Sequence, residues 1–215
     1  MTTRVIVVGA SGFGRESLDV LDALIADGTD LELLGVVDDA PSAANLERLD
    51  ARGTAYLGTL ADWVASGDRG VRYVLGIGHP GVRRRLVEQL DAAGFAAFTA
   101  VHPSATFGAR TSLAEGVVVC AGAVVSTNVQ LGRHVHVNPH VTIGHDADLR
   151  EFVSINPAAV ISGEVVVGPE TLVGAGAIVL QNLTVGERTV IGAGAVVTKH
   201  VPEGVVVKGV PGTWA

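Results

Sequence analysis

Aliphatic side chains or Phe recur at every sixth position from Val101 to Val197, through Phe107, Leu113, Val119, Val125, Leu131, Val137, Ile143, Leu149, Ile155, Ile161, Val167, Val173, Val179, Val185 and Ile191. An amphipathic helix places apolar residues every three or four positions and a half-buried strand every two. A sustained period of six is instead a solenoid pattern, in which each short strand turns a corner into the next. The fourth residue after each anchor is small or aliphatic almost throughout, as at Ala105, Thr111, Val117, Ala123, Val129 and Ala147. Three such faces per turn stack residues 18 apart, so anchors and small partners fill a narrow axis and the other four positions of each hexad face outward. Gly follows many anchors (Gly108, Gly132, Gly144, Gly168, Gly174, Gly186, Gly192), which fits corners where a Cβ would clash or φ is positive.

The first hundred residues follow a different rhythm. Thr3 to Gly9 reads as a buried strand that feeds Gly9-Ala10-Ser11-Gly12-Phe13-Gly14 and an amphipathic helix to about Ala26. Further strands are expected at Leu31–Val37, Val71–Ile77 and Phe95–Val101, with a helix over Gly81–Ala93. Alternating strands and helices imply a small parallel sheet covered by helices. The fold class is therefore α/β plus all-β: a Rossmann-like domain over residues 1–100, then a parallel β-helix over 101–215.

Composition narrows the function classes. The 215 residues, 48% of them hydrophobic and 28 of them Gly, suffice for two modest domains. No apolar run approaches the roughly 18 residues of a spanning helix, so the expectation is a cytoplasmic protein without membrane insertion. A net charge of −7 with no basic cluster argues against nucleic acid as partner. Cys120 is the sole cysteine and forms no internal disulfide.

Within the Gly loop, backbone N–H groups at a helix N-terminus can receive a phosphate, with Asp38 or Asp39 beside them at the end of the second strand. The spacing G-x-x-G-x-G departs from the dinucleotide fingerprint, and a tight strand-to-helix turn is the other explanation for these glycines. The segment is also short for two mononucleotide-binding halves. In the β-helix, His145 and Asp146 follow anchor Ile143 by two and three positions and face outward. A carboxylate that holds one imidazole tautomer is what a general base needs, although a solvated surface pair has the same sequence. Asn138 and Asn156, 18 apart, either orient a substrate or His145, or form a ladder that stabilises the coil. His134, His136 and His140 occupy different hexad positions without a carboxylate to complete a metal set, and Cys120 has no neighbouring His or cation to activate it.

The segments GASGFGRESLDVL, VVDDAP, HPSA, VTIGHDADLREFVSINPAAVISG and GVPG together resemble the bacterial nucleotide-sugar acetyltransferases of the PglD/NeuD type, over nearly the whole chain. The resemblance implies a left-handed β-helix, a homotrimer, a nucleotide-activated amino sugar on the N-terminal domain, and acetyl-CoA as co-substrate along the groove between neighbouring β-helices. It assigns the base to His145 and its acidic helper to Asp146. Sugar-nucleotide contacts fall on Ser11, Gly12, Phe13, Asp38 and Asp39, with Asn138 added by stacking. Acetyl-CoA contacts fall on Ser154, Gly174, Ala175 and Ala193, with Asn156 added by stacking; no metal is implied.

Two departures stand out. Some members carry a second His where this chain has Ser154, and many end in a basic residue after GVP where this chain reads Gly212-Thr213-Trp214-Ala215. Lys199, His200 and Lys208 are the candidates to replace that charge. The rival activities are sugar O-acetylation of the sialic-acid type, acylation of another amine with a longer chain, and a non-catalytic nucleotide-sugar-sensing trimer.

Overall fold

The computed structural model describes residues 2–66 and 68–214. The N-terminal unit runs β1 (Thr3–Val8), α1 (Gly12–Ala26), β2 (Leu31–Val37), α2 (Ala43–Arg52), α3 (Leu60–Ser66), β3 (Val71–Leu75) and α4 (Pro80–Ala92). Its three strands are parallel in the order β2-β1-β3, as alternating strands and helices require. Val5, Val7, Leu18, Leu21 and Val36 fill one side of the sheet, and Ile6, Val8, Leu60, Tyr73, Val87 and Leu90 the other.

The sequence reading missed α2 and α3: α3 is only seven residues long, and α2 buries a single residue, Leu49. Ser42 caps α2 by accepting from the Asn45 amide at 3.2 Å. The expected strand over Phe95–Val101 is a correction. Ala97 makes only an isolated bridge to Tyr73, and Ala100–Val101 instead begins the β-helix by pairing with Val118–Val119.

From Ala100 the chain winds through two-residue strands in three parallel sheets of seven, six and five strands. Val137 pairs with Val119 and Ile155, and Ile155 with Val173, so the 18-residue stacking holds until the last coil, which is shorter and pairs Val190 with Val206. Anchors and their small partners form one continuous dry axis, with Val117, Ala123, Val141, Ile143, Ala147 and Ile161 fully buried. Glycines after anchors are required by close approach: a Cβ on Gly144 would lie 2.5 Å from the Gly163 nitrogen, and one on Gly132 2.7 Å from the Glu151 nitrogen. Positive φ falls two positions later, at Asn128 (59°), His140 (58°), Asp146 (59°) and Ala158 (57°).

One of the three faces is covered over its first coils, while Val190 and Val206 at its far end stay exposed. The N-terminal unit packs on the sheet containing Ala100–Val101, Val118–Val119, His136–Val137 and Ser154–Ile155. It buries the outward positions Val118, Cys120, His134, His136, Asn138 and Ser154. Hexad register sets which way these side chains point, but the second unit decides whether water reaches them.

Candidate active site

The glycine loop divides into glycines that the fold needs and one that it does not. Gly9 has φ +110° and Gly14 packs on the Gly9 carbonyl so closely that a Cβ would overlap it; Gly76 is pressed in turn against the Gly14 Cα. A Cβ on Gly12 would meet nothing within 4 Å. The tight-turn explanation thus accounts for Gly9 and Gly14 but leaves Gly12 as an open approach to the helix end. Among the described residues, the amides of Gly12, Phe13 and Gly14 have no acceptor, the first helical bond being from the Arg15 amide to the Ser11 carbonyl at 3.1 Å. Ser11 is exposed at the N-cap without a side-chain capping bond. These free donors and the helix dipole favour an anion.

Asp38 is partly committed to holding this loop. Its Oδ2 accepts from the Ala10 amide at 2.8 Å and its Oδ1 from the Ala40 amide at 2.9 Å. Asp39 Oδ1 accepts from the Leu60 amide at 2.8 Å at the start of α3. Both aspartates border a cavity of about 230 Å³ with Gly9, Leu60, Ile77 and Val82, at the carboxyl ends of the strands where open α/β sheets take ligands. The Phe13 ring is buried and stacks on His136 at 4.4 Å between centroids, so what Phe13 offers a ligand is its backbone amide.

His145 and Asp146 lie on the corner between the strands Thr142–Ile143 and Asp148–Leu149. The imidazole is 57% exposed, with Nδ1 2.7 Å from Asp146 Oδ2. The other carboxylate oxygen of Asp146 accepts from Asn128 Nδ2 at 2.8 Å. These two bonds, Asn128 first and His145 second, hold the Asp146 carboxyl below its usual range. An ionised Asp146 draws the proton to Nδ1 and leaves Nε2 as the acceptor. Sequence reasoning missed Asn128, although it sits 18 residues before Asp146 and the stacking rule puts it one coil away. Gly163, 18 after His145, was missed likewise: a Cβ there would fall 2.5 Å from His145 Nε2. Its amide has no acceptor among the described residues.

Asn156, Gly174 and Gly192 form a column along the edge where the covered sheet turns into the sheet of Thr142 and Val160, and Lys208 continues it beside Gly192. The amides of Ala175 and Ala193 have no acceptor there. Two of the expected site residues are buried, Ser154 from the family resemblance and Asn138 from the stacking. Ser154 is 1% exposed, its Oγ bonded to the Gly78 carbonyl and to Arg83, so it is sealed under the N-terminal unit away from any cofactor groove. Asn138 is 6% exposed and its Nδ2 donates to the Ile155 carbonyl at 2.9 Å, which is the coil-stabilising role. Asn156 remains partly exposed.

Burial favours the neutral form of three groups under the N-terminal unit. It pushes the Cys120 thiol up to about 12 and His134 down to about 4, and holds His136 well below the usual imidazole range. No group of three or more metal-ligating candidates occurs among the described residues, and no helix is long and apolar enough to cross a membrane.

Comparison with known proteins places these features. A model of the PglD N-terminal domain matches residues 4–90, and one of the bacterial transferase hexapeptide (six repeats) matches residues 164–199. The acetyltransferase domain of PglB from Neisseria gonorrhoeae FA1090, solved with acetyl coenzyme A, is 30% identical, with a TM-score of 0.86 and 100% of both chains covered. Perosamine N-acetyltransferase from Caulobacter crescentus, solved with CoA and GDP-perosamine, is 28% identical, with a TM-score of 0.87, covering 100% of this chain and 98% of that one. WeeI from Acinetobacter baumannii AYE, 23% identical with a TM-score of 0.85 and full coverage of both chains, shares the fold. No curated protein sequence matches. The solenoid is the left-handed parallel β-helix of hexapeptide-repeat acyltransferases, preceded by a small α/β domain. Within that class the chain belongs to the PglD/NeuD-type family of bacterial nucleotide-sugar acetyltransferases.

Proposed function

We propose that this protein transfers acetyl from acetyl-CoA to the amino group of a nucleotide-linked amino sugar, with His145 as general base and Asp146 as its partner. The observation that carries this reading is the exposed imidazole whose Nδ1 is held by an ionised carboxylate while Nε2 stays open. The substrate amine attacks the thioester carbonyl carbon and His145 Nε2 takes the proton that the nitrogen loses. The C–S bond then breaks and CoA departs as the thiol, carrying a proton with it. The unpaired Gly163 amide, beside the imidazole, is the candidate donor for the oxyanion of the tetrahedral intermediate. The nucleotide diphosphate lies on the Gly12 and Phe13 amides beside Ser11, and the sugar nucleoside near Asp38 and Asp39. Acetyl-CoA runs along Asn156, Gly174, Ala175 and Ala193. Residues 1–100 thus hold the acceptor and 101–215 the donor and base.

The same placement supports a homotrimer. His145 sits on the prism edge opposite the sheet covered by its own N-terminal unit, so a sugar held by one chain meets the His145 of another. A cytoplasmic setting follows from where acetyl-CoA and nucleotide sugars occur together. The test is thiol release from acetyl-CoA with UDP-, GDP- and dTDP-linked amino sugars, hydroxyl-only analogues, and a His145→Ala control. Release with an amino sugar that is abolished in the variant supports the reading. Release with hydroxyl sugars alone moves the enzyme to O-acetylation, and no release with any acceptor, together with no binding of acetyl-CoA, favours a sensing scaffold.

A further inference from the structure

Arg83, in the first turns of α4, is 0% exposed and has no carboxylate partner among the described residues. Its guanidinium is instead surrounded by neutral acceptors from two sides. From the β-helix, Nε donates to the His134 carbonyl at 3.1 Å, and Nη2 donates to the Phe152 carbonyl at 2.7 Å, the Val153 carbonyl at 3.2 Å and Ser154 Oγ at 3.0 Å. From the N-terminal unit, Nη1 donates to the carbonyls of Ile77 at 2.9 Å and Gly78 at 3.3 Å. The Ser154 hydroxyl closes the circuit by donating to the Gly78 carbonyl at 3.0 Å.

An interface built for stability alone would be served as well by apolar side chains, since a buried charge carries a desolvation cost that good packing avoids. What a planar guanidinium adds is direction, because its five donors are fixed in one fork. Burial lowers its pKa to about 9, so it is still charged at neutral pH. The loop it grips continues mechanically into the glycine loop: the Gly76 amide bonds to the Val8 carbonyl at 2.8 Å, and Gly76 packs on Gly14. The coils it grips at His134 and at Phe152–Ser154 lie on either side of His145 in the chain.

From this arrangement we infer that Arg83 and Ser154 are positioning residues for the transfer reaction: they lock the ligand-bearing loops of the N-terminal unit onto their own β-helix, and in the proposed trimer that fixed seat sets the amine against the neighbouring chain's His145. The inference rests on the acetyl-transfer reading. It gives Ser154 a role in aligning the acceptor rather than in holding the cofactor. The nucleotide is gripped within the N-terminal unit, so a loosened lock leaves binding intact but misplaces the amine, and small misplacements cost turnover steeply.

The experiment compares Arg83→Lys and Ser154→Ala with wild type in steady-state acetyl transfer and amide hydrogen exchange. Arg83→Lys is expected to lower kcat about 10- to 100-fold and Ser154→Ala about 3- to 10-fold, with KM for both substrates within about twofold. The inflection in the pH profile of kcat is expected to be unchanged, because His145 and Asp146 are untouched. A merely structural role would lower the melting temperature and leave kcat of the folded enzyme at the wild-type value; that result in both variants overturns the inference. If Arg83→Lys does not fold, Ser154→Ala decides alone. Failure of the function reading is separate, because wild type would then turn over no acceptor. Exchange at Gly76–Gly78 and at the 134–138 coil decides in that case: faster exchange in Ser154→Ala supports the lock and unchanged exchange overturns it.

Discussion

His145 Nδ1 lies 2.7 Å from Asp146 Oδ2 although the residues are neighbours in sequence, because Asp146 takes φ 59° and turns its side chain back toward the imidazole. Asn128, stacked one coil away, fixes the carboxylate from its other oxygen at 2.8 Å. His145→Ala is expected to lower kcat about 100- to 10,000-fold. Asp146→Asn should cost less, since it keeps the shape and loses the charge. Asn128→Ala should cost least, by relaxing the carboxylate's orientation. With the Asp146 pKa depressed, its charge persists as pH falls below the usual carboxylate range, so the loss in Asp146→Asn is expected across the neutral range. A His145→Ala enzyme whose kcat stays within a few-fold of wild type would contradict the assignment of the base.

Glycine loops invite a single explanation, and Gly12 and Gly14 separate two. A Cβ on Gly14 overlaps the Gly9 carbonyl, whereas one on Gly12 meets nothing. Gly14→Ala should therefore reduce stability by a few kcal/mol, within the roughly 1–3 kcal/mol range typical of overpacking. Gly12→Ala should melt near the wild-type temperature yet raise KM for the nucleotide sugar, because its methyl group stands at the open helix end. Thermal denaturation beside acceptor titration checks both; equal melting losses in the two variants would return Gly12 to a turn role.

The β-helix was legible because its physics is repetitive: one position in six must be large and apolar, and Val137, Ile155 and Val173 stack as the period requires. His145 and Asp146 were legible for the same reason, since register alone placed them outward. What register could not reveal was the covered sheet. His136 and Ser154 face away from the β-helix axis, as their register requires, but α1 and α4 exclude water from them, a consequence of contacts between residues far apart in the chain. The same contact buries the Phe13 ring in its stack on His136 and leaves the backbone amide as the part of Phe13 that a ligand can reach. Asn128 and Gly163 were within reach, because subtracting 18 from Asp146 and adding 18 to His145 finds them. The helices α2 and α3 were not, since α3 is only seven residues long and Leu49 is the only buried residue of α2.

The buried histidines give the protein an acid-sensitive seam. Burial holds His134 at about 4 and His136 well below the 6.5 of an unperturbed imidazole, and the buried Arg83 nearby disfavours their charge further. Both are neutral when folded, so between about pH 6.5 and 4 the unfolded chain binds more protons than the native one. Stability is therefore full above pH 6.5 and falls as the pH drops through that window. His136→Phe, which keeps a ring against Phe13, should flatten this decline. Urea midpoints from pH 7.5 to 4.5 measure it, and parallel slopes for wild type and variant would show that His136 contributes nothing to it.

Lys208 ends the column that begins at Asn156 and passes Gly174 and Gly192. Coils stacked about 4.8 Å apart put its backbone about 14 Å beyond Asn156, a distance comparable to an extended pantetheine arm. His200, the third cationic candidate, is committed elsewhere, because its Nδ1 accepts from the Thr184 amide at 3.0 Å. Lys199 rests over the Trp214 ring at 4.6 Å, a contact that satisfies the ammonium without neutralising it. Lys208 is thus the candidate whose charge stands in line with the cofactor column. Lys208→Ala is expected to raise KM for acetyl-CoA about 3- to 10-fold at low ionic strength, less at high salt where screening shortens the reach of the charge, and to leave KM for the nucleotide sugar unchanged. An unchanged acetyl-CoA KM at both salt concentrations would remove Lys208 from the cofactor site and leave Lys199 as the remaining cation to test.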